Sequence, residues 1–440
     1  MSSRIFHIFT LGCKVNQYES QALREAWLAM GHSESRRPEE ADLILINSCA
    51  VTSRAVADLR GALRRMRREA PGARIVVSGC AARILQETQA CQAEAGKIPA
   101  ADMLVPQTDK DQLLTLFPYA ALPAKAKAAA NTALFPPFSL NGYARSRAVL
   151  KIQDGCSHGC AYCFVPLARG GSRSRPFAEA LAEARRLLAA GFREIIVSGV
   201  NLRQYRQDGG DFWDFLAKLD SALAPEWTGR ARLRISSLEP GQTGARALDT
   251  LAECRLLAPH LHLSLQSGSP AVLERMGRGH YDPARLPDFL KALRGLWPRF
   301  GLGADLLCGF PGESEAEAQE SLKLLRALPL SYAHVFPYSR RPGTRAATLP
   351  DQVPRESAKA RAAAARALAL EKKQVFLRSL LECPRLEVVF DKGGLSGPDQ
   401  HYAECFLEDG AAAPGPEKAL LPVRPLRLDA KGLLVRPLKD

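Results

Sequence analysis

Three cysteines, Cys156, Cys160 and Cys163, stand within eight residues in the stretch Lys151–Pro166, KIQDGCSHGCAYCFVP. This C-x3-C-x2-C spacing lets three thiolates hold three irons of a cubane cluster. Soft thiolates select iron–sulfur or zinc sites. A closed structural zinc site takes four protein ligands, and no fourth cysteine stands nearby in sequence. In the iron reading the fourth iron is therefore open to a small molecule; a zinc knuckle is the competing reading. The preceding run Val149–Gln153 reads as a strand. Gly155 and Gly159 give the backbone freedom to wrap a metal site. Tyr162, just before the last cysteine, can cover it with a ring.

The first 120 residues repeat one pattern three times. Arg4–Thr10, Ala41–Asn47 and Arg74–Ser78 are short apolar runs that read as strands. Each is followed by a cysteine (Cys13, Cys49, Cys80) and then by a helical stretch. The first helix is expected over Ser20–Met30, with Gly31 as its C-cap. A β-α-β-α-β rhythm predicts a parallel sheet with flanking helices. In such sheets the carboxyl ends of the strands line a common ligand crevice. Cysteines far apart in the chain would meet there. Three small buried thiols are the alternative, since free cysteine is often a core residue. Arg60, Arg64, Arg67 and Arg68 fall on one face of the helix after Cys49, as an RNA-phosphate stripe or a solvated face.

The C-x3-C-x2-C triplet with its aromatic neighbour resembles the radical S-adenosylmethionine (SAM) superfamily. Together with LGCKVNQYES, NSCAVTSRA and VSGCAAR, it resembles the methylthiotransferases over residues 4–375. The resemblance implies two [4Fe–4S] clusters, one on Cys156, Cys160 and Cys163 and one on Cys13, Cys49 and Cys80, each with an open iron. It implies that the first binds SAM and cleaves it to methionine and a 5′-deoxyadenosyl radical. The wording Gly12–Glu19 most resembles the branch that modifies N6-threonylcarbamoyladenosine at tRNA position 37. Substrates of the sister branches are isopentenyladenosine in tRNA and an aspartate of a ribosomal protein.

Residues 121–141 are Ala- and Pro-rich and read as a connection. Strand–helix alternation then returns. Strands are expected at Ala148–Gln153, Glu194–Ser198, Arg232–Ser236, His260–Leu265, Gly303–Leu307 and Ala333–Phe336, with helices such as Ala178–Ala190 between them. Six βα units fit a partial (βα)6 barrel, whose site lies at the strand carboxyl ends. The resemblance places SAM contacts there: Ser198, Gly199, Asn201, Ser236, Glu239, Gln266 and Arg278, with Tyr162 from the cysteine loop. Arg169, Arg173 and Arg175 are candidates for substrate phosphate or the SAM carboxylate. Cys91, Cys254, Cys308, Cys383 and Cys405 lack partner spacing and read as packing. A long helix, Arg355–Ser379, leads into β-like runs after Pro384. The family has a small β-barrel called TRAM there, but this segment is nearly charge-balanced and poor in aromatics, as a structural cap would be.

The expected organisation is α/β: an N-terminal parallel-sheet domain (1–120), a radical SAM barrel (142–374) and a small TRAM-like β-barrel (375–440). At 440 residues, several domains are expected. A net charge of +14 suggests an anionic partner such as nucleic acid, or reflects an Arg-rich composition. Eleven cysteines, an odd number, favour metal-bound thiolates in a reducing cytoplasm over a disulfide scaffold. Neither a signal-peptide pattern nor an 18-residue apolar run is seen. Expected partners are the tRNA anticodon loop, an electron-donor protein and a sulfur source, with no membrane. Two readings of other kinds stand beside the methylthiotransferase: a radical SAM enzyme whose N-terminal cluster only relays electrons, and a non-catalytic RNA-binding iron–sulfur sensor.

Overall fold

The computed structural model describes residues 3–49, 53–91, 101–119, 134–391, 393–408 and 417–438. Most of the expected connection, residues 121–133, lies outside them, as does the side chain of Cys91. Two compact units emerge, and they do not follow chain order. One comprises Met1–Asn141, Gln153–Arg175 and Ser339–Ala347. The other comprises Gly142–Ile152, Pro176–Tyr338 and Thr348–Asp440. They differ from the three consecutive domains read in the sequence. The cysteine loop and a later short segment join the first unit, and the C-terminal segment joins the second.

The first unit is built on a parallel sheet of β1 (Ile5–Leu11), β2 (Ser33–Glu34), β3 (Leu43–Ser48), β4 (Arg74–Ser78) and β5 (Met103–Val105), in the order β2-β1-β3-β4-β5. Central β3 is buried along its whole length, which is why LILINS reads as a continuous run. Helices α1 (Lys14–Ala29), α2 (Ser53–Glu69) and α3 (Cys80–Cys91) make the crossovers. Helix α1 starts six residues earlier than expected. Its first turns carry Asn16, Glu19 and Ser20, polar residues that look like loop but are buried. Beyond β6 (Ala148–Asp154), the cysteine loop leads into α4 (Val165–Arg169) and β7 (Arg173–Ser174). Phe164 and Ala168 enter the same apolar core as Ile44, Leu63 and Val77, fastening the loop to the sheet.

In the second unit, β8 (Glu194–Gly199), β9 (Arg232–Ile235), β10 (His260–Gln266), β11 (Gly301–Cys308) and β12 (Tyr332–Pro337) follow one another around a partial barrel that β6 begins. The ladder is continuous from β6 to β9 and from β10 to β12. Between the two, isolated parallel bridges Leu233–Leu257 and Leu238–Leu263 make the join. Helices α5 (Phe177–Ala189), α6 (Phe212–Trp227), α7 (Ala245–Glu253), α8 (Pro270–Arg275), α9 (Leu286–Leu296) and α10 (Glu315–Ala327) fill the connections, and α11 (Arg355–Leu380) follows β12. The C-terminal segment forms a mixed five-stranded sheet of β13 (Leu386–Val388), β14 (Ser396–Pro398), β15 (Glu404–Leu407), β16 (Leu421–Leu428) and β17 (Leu433–Pro437), in the order β13-β16-β17-β15-β14. It curls, so that Val389 and Phe390, just past β13, pack against Gly397 of β14. Leu377 and Leu380 of α11 close its core.

That sheet is latched to the barrel. Arg232 donates to the carbonyls of Glu387 (2.8 Å) and Pro398 (3.2 Å), and Arg234 to those of Asp399 (2.9 Å) and Gln400 (3.1 Å). Both guanidinium groups are held by buried Glu194, at 2.5 and 2.8 Å. Burial alone would raise the Glu194 carboxyl, but the two arginines outweigh it and hold it far below the usual carboxylate range.

Candidate iron–sulfur and SAM sites

Cys13, Cys49 and Cys80 come together because of strand register. Leu11 pairs with Ser48 and Asn47 with Ser78, so the three cysteines leave neighbouring strands at one level. Adjacent strands lie about 4.8 Å apart, within reach of one cluster. The sheet order 2-1-3-4-5 puts its topological switch point between β1 and β3, where open α/β sheets bind ligands. Glycines permit the close approach. A Cβ on Gly12 would stand 2.8 Å from that of Cys49, and one on Gly79 2.3 Å from the Ser48 carbonyl oxygen. Cys13 is the N-cap of α1 and Cys80 opens α3. Helix N-termini favour negative sulfur.

Beneath these thiols lies a buried polar network. Lys110 Nζ bridges Glu19 (2.6 Å) and the Asn47 carboxamide oxygen (2.9 Å). Arg169 reaches Glu19 (2.7 Å) and Asp154 (2.8 Å), and touches Asn16 Oδ1 at 3.2 Å. Cys13 Sγ lies 3.4 Å from that same oxygen. With Arg173 also on Asp154, the network carries one more cation than anion. Burial raises the Cys80 thiol pKa, while Arg169 and Lys110 pull it back down. A metal that displaces the proton completes what those cations begin.

This corrects the reading of Arg169 and Arg175. Arg169 is buried and paired to internal carboxylates. Arg175 is buried and donates to the Tyr18 hydroxyl (3.3 Å). Arg173 pairs with Asp154 at 3.4 Å. Arg169 and Arg175 brace the fold from within and are buried away from a substrate phosphate, while Arg173 is half-exposed and also donates to the Arg169 carbonyl (3.2 Å). The stripe on α2 shortens likewise. Arg67 turns to Asp102 (2.6 Å), leaving Arg60, Arg64 and Arg68 exposed.

The second set, Cys156, Cys160 and Cys163, lies in the same unit. Gly155 turns the chain at φ +68°, and the Cys156 N–H donates to the Gly170 carbonyl at 3.0 Å. Backbone N–H groups of His158 and Val165 each lie 3.4 Å from a sulfur, Cys156 and Cys163 respectively. Such contacts delocalise thiolate charge and tune a cluster's potential. Tyr162 is half-buried beside them. Residues 339–347 strap the loop: the Ala346 N–H donates to the Ala161 carbonyl (2.8 Å) and Arg345 to that of Gly159. Each set offers three sulfur donors, a soft all-thiolate shell that fits an iron–sulfur cluster with one iron left without a protein ligand.

In the second unit the expected SAM contacts partly converge. Ser198 and Ser236 each follow the paired residues Val197 and Ile235, so they end adjacent strands at one level. Asn201 Nδ2 donates to Glu239 Oε1 (3.2 Å), and Arg278 reaches the same oxygen (3.3 Å) and the Ser264 carbonyl (2.9 Å). Gly199 ends β8. Gln266 ends β10 at φ +64°, a left-handed conformation that a non-glycine residue adopts only under constraint. The structure adds His280, 2.7 Å from Glu239 Oε2 and on the wall of a cavity of about 620 Å³ also lined by Pro240, Thr243 and Tyr281. Its one cue is a histidine two residues past Arg278. A further array runs across β10–β12. Asp305 holds His262 (3.1 Å) and His334 (3.2 Å), and Tyr332 bridges His260 and His262. Burial works to raise the Asp305 carboxyl, but hydrogen bonds from both imidazoles outweigh it and hold it low. The alternating polar positions of HLHLSLQ were its only trace in the sequence. Cys308 and Cys405 are buried, as expected of packing residues.

Two family models match the chain: an uncharacterized protein family, UPF0004, over residues 5–99, and the radical SAM superfamily over residues 150–325. Among curated relatives, a threonylcarbamoyladenosine tRNA methylthiotransferase, MtaB, of Bacillus subtilis is 36% identical over 361 residues, covering 80% of this chain and 77% of that protein. Its namesake in Thermotoga maritima is 31% identical over 408 residues, covering 90% of each. A tRNA-2-methylthio-N(6)-dimethylallyladenosine synthase of Chromobacterium violaceum is 35% identical, covering 79% of each. Among solved structures, the radical SAM methyltransferase TsrM of Kitasatospora setae, with cobalamin and a [4Fe-4S] cluster bound, aligns with a TM-score of 0.52 at 15% identity over 79% of this chain and 77% of that one, a likeness of fold.

Proposed function

Because the chain belongs to the radical SAM methylthiotransferase family, we propose that it converts N6-threonylcarbamoyladenosine at position 37 of tRNA to the 2-methylthio derivative. The observation that carries the reading is the pairing of two three-thiolate sites in one compact unit, each a sulfur donor short of a closed shell. A lone SAM-cleaving site has no use for the second set. The substrate follows the Bacillus and Thermotoga relatives and the wording Gly12–Glu19.

When bound, the cluster on Cys156, Cys160 and Cys163 supplies the electron that cleaves SAM, and the cluster on Cys13, Cys49 and Cys80 supplies an open iron for sulfur. The chain's own residues do the rest. Ser198, Gly199, Asn201, Ser236, Glu239, Gln266 and Arg278 hold SAM, with Tyr162 shielding the cluster. The Glu239 carboxylate keeps Asn201, Arg278 and His280 in fixed orientation. Two SAM molecules would be needed, one to supply the hydrogen-abstracting species for C2 of the adenine and one to supply the methyl group. The reaction needs a reducing protein and a sulfur source. It also needs a base presented from a single-stranded loop, which suits RNA recognition. Such a substrate places the work in the cytoplasm; among the described residues no helix is long and apolar enough to cross a membrane.

Mass spectrometry of tRNA nucleosides from cells with and without the gene tests the substrate. The expected result is selective loss of 2-methylthio-N6-threonylcarbamoyladenosine with accumulation of its precursor. Loss of the isopentenyl product instead would move the chain to the branch of the Chromobacterium relative. Anaerobic reconstitution should give about eight irons per chain, two cubanes of four. About four would remove the second cluster, and with it the sulfur chemistry.

A further inference from the structure

The His–Asp–His array across β10–β12 has no part in the chemistry set out above. Its members share one face of the ladder: His262 pairs with Gly303 and Gly303 with Tyr332, while Asp305 pairs with His334. Leu302, Ala304 and Leu306 alternate to the other face, where Leu306 lines a cavity with Ala318 of α10 and Ala365 of α11. Helices cover that side, so the histidines face the barrel interior. Two imidazole nitrogens converge there on one carboxylate oxygen. His262 Nε2 stands 3.1 Å and His334 Nδ1 3.2 Å from Asp305 Oδ1, and all three atoms lie within 4.8 Å of one another. Among the described residues the ion pairs of Asp305 run only to these two imidazoles. His262 is gripped at its second nitrogen as well. Its Nδ1 is 3.0 Å from the Tyr332 hydroxyl, which is also 3.0 Å from His260 Nε2. Glycine makes the room: a Cβ at Gly303 would stand 2.2 Å from Tyr332 Cζ and 2.4 Å from His262 Nδ1. The His262 side chain is 7% exposed, that of Asp305 24% and that of His334 56%, so the group opens on its His334 side.

We propose that His262 Nε2, Asp305 Oδ1 and His334 Nδ1 bind a divalent transition-metal ion, with zinc the ion they fit best. Two imidazoles and one carboxylate are a three-ligand set that zinc accepts when a fourth position is left to water or another small ligand. Metal–ligand distances of about 2.0–2.1 Å in a tetrahedron set donor atoms about 3.3–3.4 Å apart, close to the two separations at Asp305. Binding needs both coordinating nitrogens free of protons. For His262 the hydrogen then sits on Nδ1 and is donated to the Tyr332 oxygen, which passes its own hydrogen to His260 Nε2. Metal-ligating histidines are commonly oriented by such an outer partner. The ion also supplies Asp305 with a full positive charge beside it. The inference does not depend on the reading of the cysteine sites.

Full-length wild type, H334A, D305N and Y332F are reconstituted anaerobically, so that the cluster thiols hold iron, and dialysed against zinc sulfate. Zinc and iron are then counted on the same sample by elemental mass spectrometry across a zinc titration. Wild type is expected to retain about one zinc per chain with its iron unchanged. H334A and D305N should bind it more than about 100-fold more weakly, beyond what loss of an outer partner costs, and Y332F about 10–100-fold. Should D305N fail to fold, H334A, altered at an exposed side chain, carries the comparison. Wild type that retains no zinc at full iron content overturns the proposal. Equal retention by wild type and H334A places the ion elsewhere and overturns it too, as does zinc gained only where iron is lost. Iron near four per chain with the H334A difference intact would count against the second cluster and leave this site standing.

Discussion

A Cβ on Gly155 would stand 2.0 Å from the Gly171 carbonyl oxygen and 2.8 Å from that of Gly170, and its φ of +68° is strained for any other residue. Both obstacles are backbone, so G155A has nothing soft to push aside. Reconstituted G155A is expected to hold about four irons instead of about eight and to form no 5′-deoxyadenosine from SAM. Full iron and full cleavage would show that the loop tolerates the shift. Gly79 plays the matching part at the other site, 2.3 Å from the Ser48 carbonyl, and G79A should lose the other four while SAM cleavage persists. At this scale the sequence was legible where residue type is itself the chemistry. Six cysteines announce themselves by spacing and by repeated context. The burial of Arg341 does not, since nothing in the sequence separates it from exposed Arg340 beside it. Glu19 stands in a polar stretch that looks like loop until Lys110 and Arg169, far along the chain, are seen to close around it.

At the scale of elements, β8 and β9 are joined by more than their ladder. Glu194 holds Arg232 and Arg234, which in turn grip the backbone just past β13 and β14. E194Q leaves two buried guanidinium groups without their anion and should cost roughly 3–5 kcal/mol, read as a lower urea midpoint at pH 7. The carboxyl is held below its ordinary value in the folded chain. Its stabilisation is therefore whole above the unfolded value near 4.5 and is lost as pH falls from there toward the folded value. The gap between wild type and E194Q should narrow below about pH 4.5; a gap that is constant with pH would remove the charge from the explanation. Every strand expected in the two parallel systems is present within two residues of its bounds; β3, β4 and β8, buried along nearly their whole length, are written as apolar runs. Strands of two or three residues, β2, β5, β7 and β14, left no such run. The latch was invisible for the opposite reason: arginines near the start of a strand look solvated until another segment covers them.

For the molecule as a whole, the charge of +14 gains a location in Arg60, Arg64 and Arg68, exposed at successive turns of α2. Reversing all three to glutamate should weaken tRNA binding and flatten its dependence on salt by about one unit of slope per lost phosphate contact, measured by anisotropy between low and physiological salt. An unchanged slope would put the tRNA on another face. The interleaving of the two units carries a consequence for how the protein is made. The unit that holds every cluster cysteine takes its last piece from residues 339–347. At the usual pace of translation, on the order of half a minute separates the emergence of Cys13 from that of the strap. Over that interval the thiols are born one after another, reduced and uncovered, with no finished cradle to receive metal. A unit completed so late is expected to take up iron late in biosynthesis, with a reducing surrounding needed until the strap arrives.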